Sequence, residues 1–348
     1  MKLTNQRLLG ALLTSIVLAG GLAACGSDDD SGSGDSGGSG GGVTEVTVMA
    51  FPGQSYRLPF LVGDKEGFFA DHDISYKFID QPSNLTGTQG MAATKAQVGF
   101  LSTTTQVQGF QAGDTFPFFC GGIKVLQTTL IADTDSDLPS MADGATWEEV
   151  LQALKGKNIG IQTPVGSGLQ ILFAAALEEA GLGADDVTFV NLGGVPTTVQ
   201  AALEKGSVDV AQINPPGTQL LQTQGYGKPL IYMAEGPDTY KNLFGSGPAI
   251  DPAWLKDNPD VAKEFCAAYQ ESLAWIQDPN NADAAAEILS EDTTIPVEAA
   301  KLVVTDTFGD FIPELDTDAM QATFDAYVDL GVAQADPAPT TDELVVTP

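Results

Sequence analysis

The chain has one histidine, His72, and only two arginines, Arg7 and Arg57. Proton transfer by histidine needs a second group set beside it, and zinc centres draw on several His or Cys side chains. With a single His, histidine-based catalysis and His-rich metal sites are nearly excluded. Bases of either kind are scarce: Lys and Arg total 15 against 46 Asp and Glu, a formal net charge of −31. A field of that sign repels nucleic acid and anionic membranes and keeps the chain soluble. An anion can bind only where the acidic background is locally offset. Cysteine is sparse as well. Cys25, Cys120 and Cys266 contain no CxxC pair.

What is present begins with an export signal. Lys2 and Arg7 precede the apolar run ALLTSIVLAGGLAA, which is too short for a comfortable membrane span and ends in Leu22-Ala23-Ala24. Cys25 directly after that small-residue site resembles a bacterial lipobox, in which the cysteine becomes a lipidated N-terminus and anchors without spanning. The alternative is an ordinary signal peptide, residues 1–24, with an incidental Cys. Residues 26–42 are only Gly, Ser and Asp, a solvated tether with nothing to bury. The body from Val43 to about Asp336 is long for one core and suits two lobes. With Cys25 lipidated, Cys120 and Cys266 remain, and in an exported protein they form either a disulfide or two buried thiols.

The most regular stretch runs from Lys157 to Pro216. KNIGIQ alternates as a strand and TPVGSG, Thr163–Gly168, is a small polar turn. Leu169, Leu172, Phe173, Ala176 and Leu177 then recur at helical spacing up to Gly181. VTFVNL is a second strand, VPTTVQAALEKG a second helix with Thr197 or Thr198 near its start, and VDVAQI a third strand running into Asn214. Strand and helix alternating in this way make an α/β fold with a parallel sheet and crossover helices. Ligands in such sheets gather beyond the carboxyl ends of the strands, where these polar turns fall.

Around that stretch, VTEVTVMA is a first strand, Tyr56–Phe69 a helix with Arg57 in its first turn, and ISYKFID another strand. A polar turn and short helix lead to the strand Gln97–Leu101, which ends in Ser102-Thr103-Thr104-Thr105. The apolar run Pro117–Asp133 is long for one strand and suits a crossing between lobes; Lys228–Gly236 suits the return. Helices follow at 251–258, 259–277, 282–289, 297–302 and 316–330. The tail from residue 336 to 348 is Pro-rich and is expected to be loose.

Gly67-Phe68-Phe69 before Asp73-Ile74, Leu154-Lys155-Gly156-Lys157 before Ile159-Gly160 and the TPVGSG turn, and Ala201-Ala202-Leu203 with Gly206 and Val208-Asp209-Val210 together carry a resemblance. The body resembles the ABC-transporter substrate-binding proteins of the nitrate/sulfonate/taurine and THI5-like group. It departs from them at Ala92–Gln97, which lacks the Gly and Asp of the family's first-lobe segment. The resemblance implies a two-lobed periplasmic-binding-protein type II fold, each lobe a mostly parallel sheet with flanking helices, joined by two hinge crossings. Lobe 1 would comprise 43–131 and 236–335, and lobe 2 would comprise 132–235. It implies an extracytoplasmic, lipid-anchored monomer without catalytic activity, cofactor or metal. Such a protein captures a sulfonate, nitrate, aromatic acid or pyrimidine precursor and delivers it to a permease and ATPase.

The candidate ligand-binding residues are those at the polar turns. Ser167 and Gly168 open a helix and can present backbone donors, although Ser167 also suits a plain N-cap. Ser102, Thr103 and Thr104 stand at a strand end with the same two readings. Arg57 can clamp an anion with its planar fork or pair with one of many acids. Gln54, Ser55, Thr163, Thr197 and Asn214 are further candidates, and Phe51 and Tyr56 suit either a stacking wall or the core. Other chemistries fit poorly. Gly166-Ser167-Gly168 lacks the G-x-S-x-G elbow of a hydrolase. The THI5 synthases use His and Cys not found here. The Asp133–Asp137 run fails the calcium-loop pattern at Leu138 and Gly144. A surface enzyme or adhesin on the same fold is the alternative function.

Overall fold

The computed structural model describes residues 42–81 and 87–348. The export signal, Cys25, the tether up to Gly41 and residues 82–86 of the polar turn lie outside the described residues. The chain forms strands β1 (Thr44–Ala50), β2 (Ile74–Asp80), β3 (Val98–Ser102) and β4 (Gly122–Ile123). It then forms β5 (Thr129–Ala132), β6 (Asn158–Ile161), β7 (Thr188–Asn191), β8 (Val210–Ile213) and β9 (Lys228–Tyr232), and last β10 (Ser246–Ile250) and β11 (Phe311–Ile312). These make two sheets, ordered β11-β4-β10-β3-β1-β2 and β7-β6-β8-β5-β9.

Each sheet joins a parallel set to antiparallel strands. In the first, β1 pairs in parallel with β2 and β3; in the second, β6 pairs in parallel with β7 and β8. Parallel neighbours need a crossover connection, and the helical periods between these strands supply it. Against each parallel set lies an antiparallel strand, β10 on β3 and β5 on β8. β5 and β10 are the strands the chain forms on entering a sheet from the other one. The sheets are therefore mixed where mostly parallel ones were expected. The apolar run 117–133 does pass between sheets, contributing β4 to one and β5 to the other. Because β5 begins at Thr129, the second sheet starts slightly before residue 132.

The helix Gly168–Glu179 shows how pattern becomes packing. Leu172, Phe173, Ala176 and Leu177 are fully buried on one face. Each large side chain among them contributes about 1.5–3 kcal/mol relative to exposure. Gly181, at φ +82°, takes the left-handed turn that ends the helix, and Leu182 N–H closes onto Leu177 O at 2.9 Å. The helix Pro259–Gln277 buries Phe265, Cys266, Tyr269 and Leu273. Phe265 and Tyr269 join Phe60, Phe69, Tyr76 and Phe78 in an aromatic cluster. Cys120 and Cys266 are joined by a disulfide across a sequence separation of 146, with Cα atoms 5.3 Å apart.

Three local expectations are corrected. Tyr56–Phe69 is not one helix: a 3₁₀ turn Ser55–Arg57 leads into the helix Leu58–Lys65, and Gly67 at φ +88° breaks the chain before Phe68–Asp71. The helices at 282 and 297 run on to Thr293 and Thr307. The tail is docked, not loose. Leu344 is fully buried, and its carbonyl accepts Phe118 N–H and the Gln106 side-chain amide, both at 2.9 Å. Its short helix Thr341–Leu344 brings one apolar side chain to a waiting edge, which Pro-rich composition conceals.

The two crossings touch. A Cβ on Gly245 would lie 2.1 Å from the Val125 carbonyl oxygen, so only glycine fits there.

His72 is held between two acids on the helix Pro259–Gln277. Nδ1 lies 2.5 Å from Glu264 and Nε2 3.2 Å from Glu271. Burial disfavours the imidazolium, but hydrogen bonds to Glu264 and Glu271 and their charges outweigh it and raise the pKa above its ordinary value. A folded-state pKa raised above the unfolded one gives stability that is fully present below about pH 6.5 and is lost as pH rises through the raised value. Melting temperature is thus expected to fall over that window in the parent protein. His72→Gln should remove the step, and an identical pH profile in the variant would refute this contact.

Candidate functional site

A cleft of roughly 300 Å³ opens beyond the carboxyl ends of the parallel strands. Phe51, Gln54, Ser55 and Tyr56 reach it just after β1, Gln81 after β2, and Phe100, Leu101 and Ser102 from the end of β3. The first crossing contributes Val125, Leu126, Gln127 and Thr128, and the second contributes Gly245 with Ser246 of β10. Leu169, Asn214 and Pro215 close it from the second sheet's side. The site is thus shared between the two sheets and the segments that connect them.

Its walls are an aromatic pair and a set of neutral hydrogen-bonding groups. Tyr56 and Phe100 stack with ring centroids 4.3 Å apart and planes 4° from parallel. The Tyr56 hydroxyl accepts Phe51 N–H at 3.2 Å. Burial pushes the Tyr56 phenol up to about 12, against the lowering effects of that hydrogen bond and of Arg57, so it stays neutral at ordinary pH. Asn214 Oδ1 accepts from Gln162 Nε2 at 2.9 Å and from Thr128 Oγ1 at 3.1 Å. That fixes the amide's orientation and leaves its NH₂ with no partner among the described residues. Gln127 Nε2 donates to Thr307 O at 2.8 Å and to Asp310 Oδ2 at 3.3 Å, which leaves Gln127 Oε1 as an open acceptor. Tyr232 also donates to Asp310, at 2.7 Å, so one carboxylate ties both crossings.

Of the residues expected at the site, the structure brings together Gln54, Ser55, Ser102 and Asn214, with Phe51 and Tyr56 beside them. Ser102 serves in two ways, because its Oγ also caps the helix Thr103–Ala112 by accepting Thr105 N–H at 3.2 Å. The others stand apart from the cleft lining. Thr103 is buried and donates to Phe244 O at 2.7 Å; Thr104 is buried beside it. Thr163 and Ser167 bond each other at 2.6 Å. Gly168 packs at the seam, where an added Cβ would meet Val332 at 2.8 Å and Thr104 at 3.5 Å. The turn at 163–168 thus packs against the turn at 102–105, and only the latter reaches the cleft, through Ser102 and Thr105. Thr197 is exposed on the helix Pro196–Glu204.

Arg57 does not reach the cleft. Its guanidinium lies 3.9 Å from the Phe78 ring centroid and pairs with Asp292 through Nη2 at 3.2 Å. The partner is a carboxylate 235 positions away, which local pattern does not disclose. Gln81, Phe100, Gln127, Thr128 and Ser246 escaped the sequence reading. One signal was present: the polar Gln127-Thr128-Thr129 breaks a mostly apolar run at the point where the chain changes sheets.

Among the described residues no group of three or more His, Cys, Asp or Glu gathers to hold a metal, and no helix is long and apolar enough to cross a membrane.

The fold has many solved counterparts. The alkanesulfonate-binding protein SsuA from Xanthomonas axonopodis pv. citri, bound to MOPS, is 15% identical with a TM-score of 0.64, covering 87% of this chain and 98% of its own. The aliphatic sulphonate binding protein SsuA from Escherichia coli is 16% identical at 0.64, covering 87% and 92%. The nitrate-binding protein NrtA from Synechocystis PCC 6803 is 15% identical at 0.63, covering 84% and 83%. These show a shared periplasmic-binding-protein architecture. No curated protein matches the chain by sequence. The family profile described as NMT1/THI5 like matches residues 54–282, more than half of the length, and spans both sheets. The chain is therefore a member of the NMT1/THI5-like family.

Proposed function

We propose that this protein is an extracytoplasmic solute-binding lipoprotein. It captures one small molecule between two lobes, one built on each sheet, and presents it, as a monomer, to the permease and ATPase of an ABC importer. Cys25 anchors it. The observation that carries this reading is the cleft itself: two sheets and both connecting segments converge at strand ends on an uncharged pocket of apolar walls and neutral hydrogen-bonding groups. Closure of two such bodies about their crossings is a standard means of enclosing a solute. Among the described residues the lining supplies hydrogen bonds and an aromatic wall, but no carboxylate, imidazole or thiol to act as acid, base or nucleophile. That favours binding over a surface enzyme.

A thermal-shift screen over sulfonates, nitrate, aromatic acids and neutral aromatic amides tests it. A true ligand at a hundred times its Kd should stabilise by about 2.7 kcal/mol and be recovered unchanged. Conversion of the ligand to product would sink the binding reading. In cells, Cys25→Ala should leave the membrane fraction, and its retention there would refute the anchor.

A further inference from the structure

We infer that the cleft takes an uncharged, planar solute, an aromatic or heteroaromatic amide, and discriminates against sulfonates and carboxylates. The inference rests on the capture reading and narrows its ligand.

Four observations carry it. Among the described residues no Lys, Arg, His, Asp or Glu lines the cleft. The one arginine of the body, Arg57, is next to Tyr56 in sequence but is committed to Asp292 and the Phe78 face. An anion entering the cleft would therefore lose its hydration without gaining a cation, inside a protein of net charge −31. An organic cation would likewise find no carboxylate in the lining.

The groups that are present suit a flat amide. The parallel Tyr56–Phe100 pair supplies an aromatic wall, and Phe51, 39% exposed, adds a third ring at the mouth. Asn214 retains its NH₂ for donation and Gln127 its Oε1 for acceptance. A carboxamide needs one donor and one acceptor from its site; a carboxylate offers only acceptors and would leave Gln127 Oε1 facing negative charge. Specificity of this kind comes from leaving a wrong ligand's polar groups unpaired.

The test is equilibrium dialysis of the full body against four size-matched probes: 1-naphthamide, 1-naphthoate, 1-naphthalenesulfonate and 1-naphthylmethylammonium. The amide is expected to bind tighter than each charged probe by on the order of tenfold or more, since a desolvated, unpaired charge costs well over the 1.4 kcal/mol that tenfold represents. Gln54→Lys adds a cation at a lining position whose side chain makes no hydrogen bond to the described protein, and it should bring naphthoate and naphthalenesulfonate up to or past the amide. Binding of either anion to the parent as tightly as the amide overturns the inference while leaving solute capture intact. Failure of all four probes overturns it too, and solute capture then stands or falls on the thermal-shift screen alone.

Discussion

Replacing Arg57 by Ala is expected to lower stability by about 3–5 kcal/mol, the usual cost of removing one partner of a buried ion pair. Arg57 is 8% exposed, and its partner Asp292 stands in the last turn of the helix Ala282–Thr293 with its side chain 15% exposed. The pair is singly bonded: Arg57 Nε and Asp292 Oδ2 have no partner among the described residues. Burial raises the Asp292 pKa above its ordinary value although Arg57 acts to lower it. Without the guanidinium the carboxyl faces only the desolvation penalty. The effect should reach the cleft, because Arg57 ends the turn whose Ser55 and Tyr56 line it. Urea denaturation and ligand titration of Arg57→Ala should show both losses. The double variant Arg57→Met with Asp292→Leu should regain much of the stability, since apolar replacement of both partners removes the stranded charge. A loss under about 0.5 kcal/mol in the single variant, as for an ordinary surface site, would mean that the pair is solvated and does not brace the turn.

Removing the disulfide should cost about 2–5 kcal/mol. Cys120 precedes β4, and Cys266 lies in the helix Pro259–Gln277, so the bond spans the whole excursion through the second sheet. Closing a loop with a separation of 146 restricts the unfolded chain strongly. Both sulfurs sit in the same buried cluster as Phe119, Phe265 and Tyr269, so Cys120→Ala with Cys266→Ala leaves that packing nearly intact. The loss should therefore appear mainly as a lower denaturation midpoint that the parent matches when reduced. An unchanged midpoint in the double variant, or free thiols at both positions in unreduced protein, would contradict the bond.

Much of this architecture is legible in the sequence because it is local. Ile159 and Ile161, the Leu172–Leu177 face and Val210–Ile213 each repeat a period within a dozen residues, and Gly181 marks a stop by backbone conformation alone. The cleft was half legible for the same reason: Gln54, Ser55, Ser102 and Asn214 sit at strand ends, where a small polar residue has few other uses. What escaped depends on pairing across the chain. The direction of β5 and β10 is set by how the chain enters each sheet, not by any motif within them. Arg57 reads as an anion clamp until Asp292 is placed against it. Thr103 resembles Ser102 in sequence, yet its hydroxyl is spent on the Phe244 carbonyl. Leu344 closes the fold from a Pro-rich tail.

The central claim is that one solute is held in the cleft between the sheets. It is tested most directly by calorimetric titration of the solute found in the thermal-shift screen against two cleft-filling variants, one from each side: Gln54→Trp after β1, and Leu169→Trp in the helix after β6. Each places a bulky ring in a space of roughly 300 Å³. The account predicts one-to-one binding to the parent and its loss in both variants, with unliganded melting temperatures close to the parent's. Parent-like affinity in both variants would place the solute elsewhere and contradict the account.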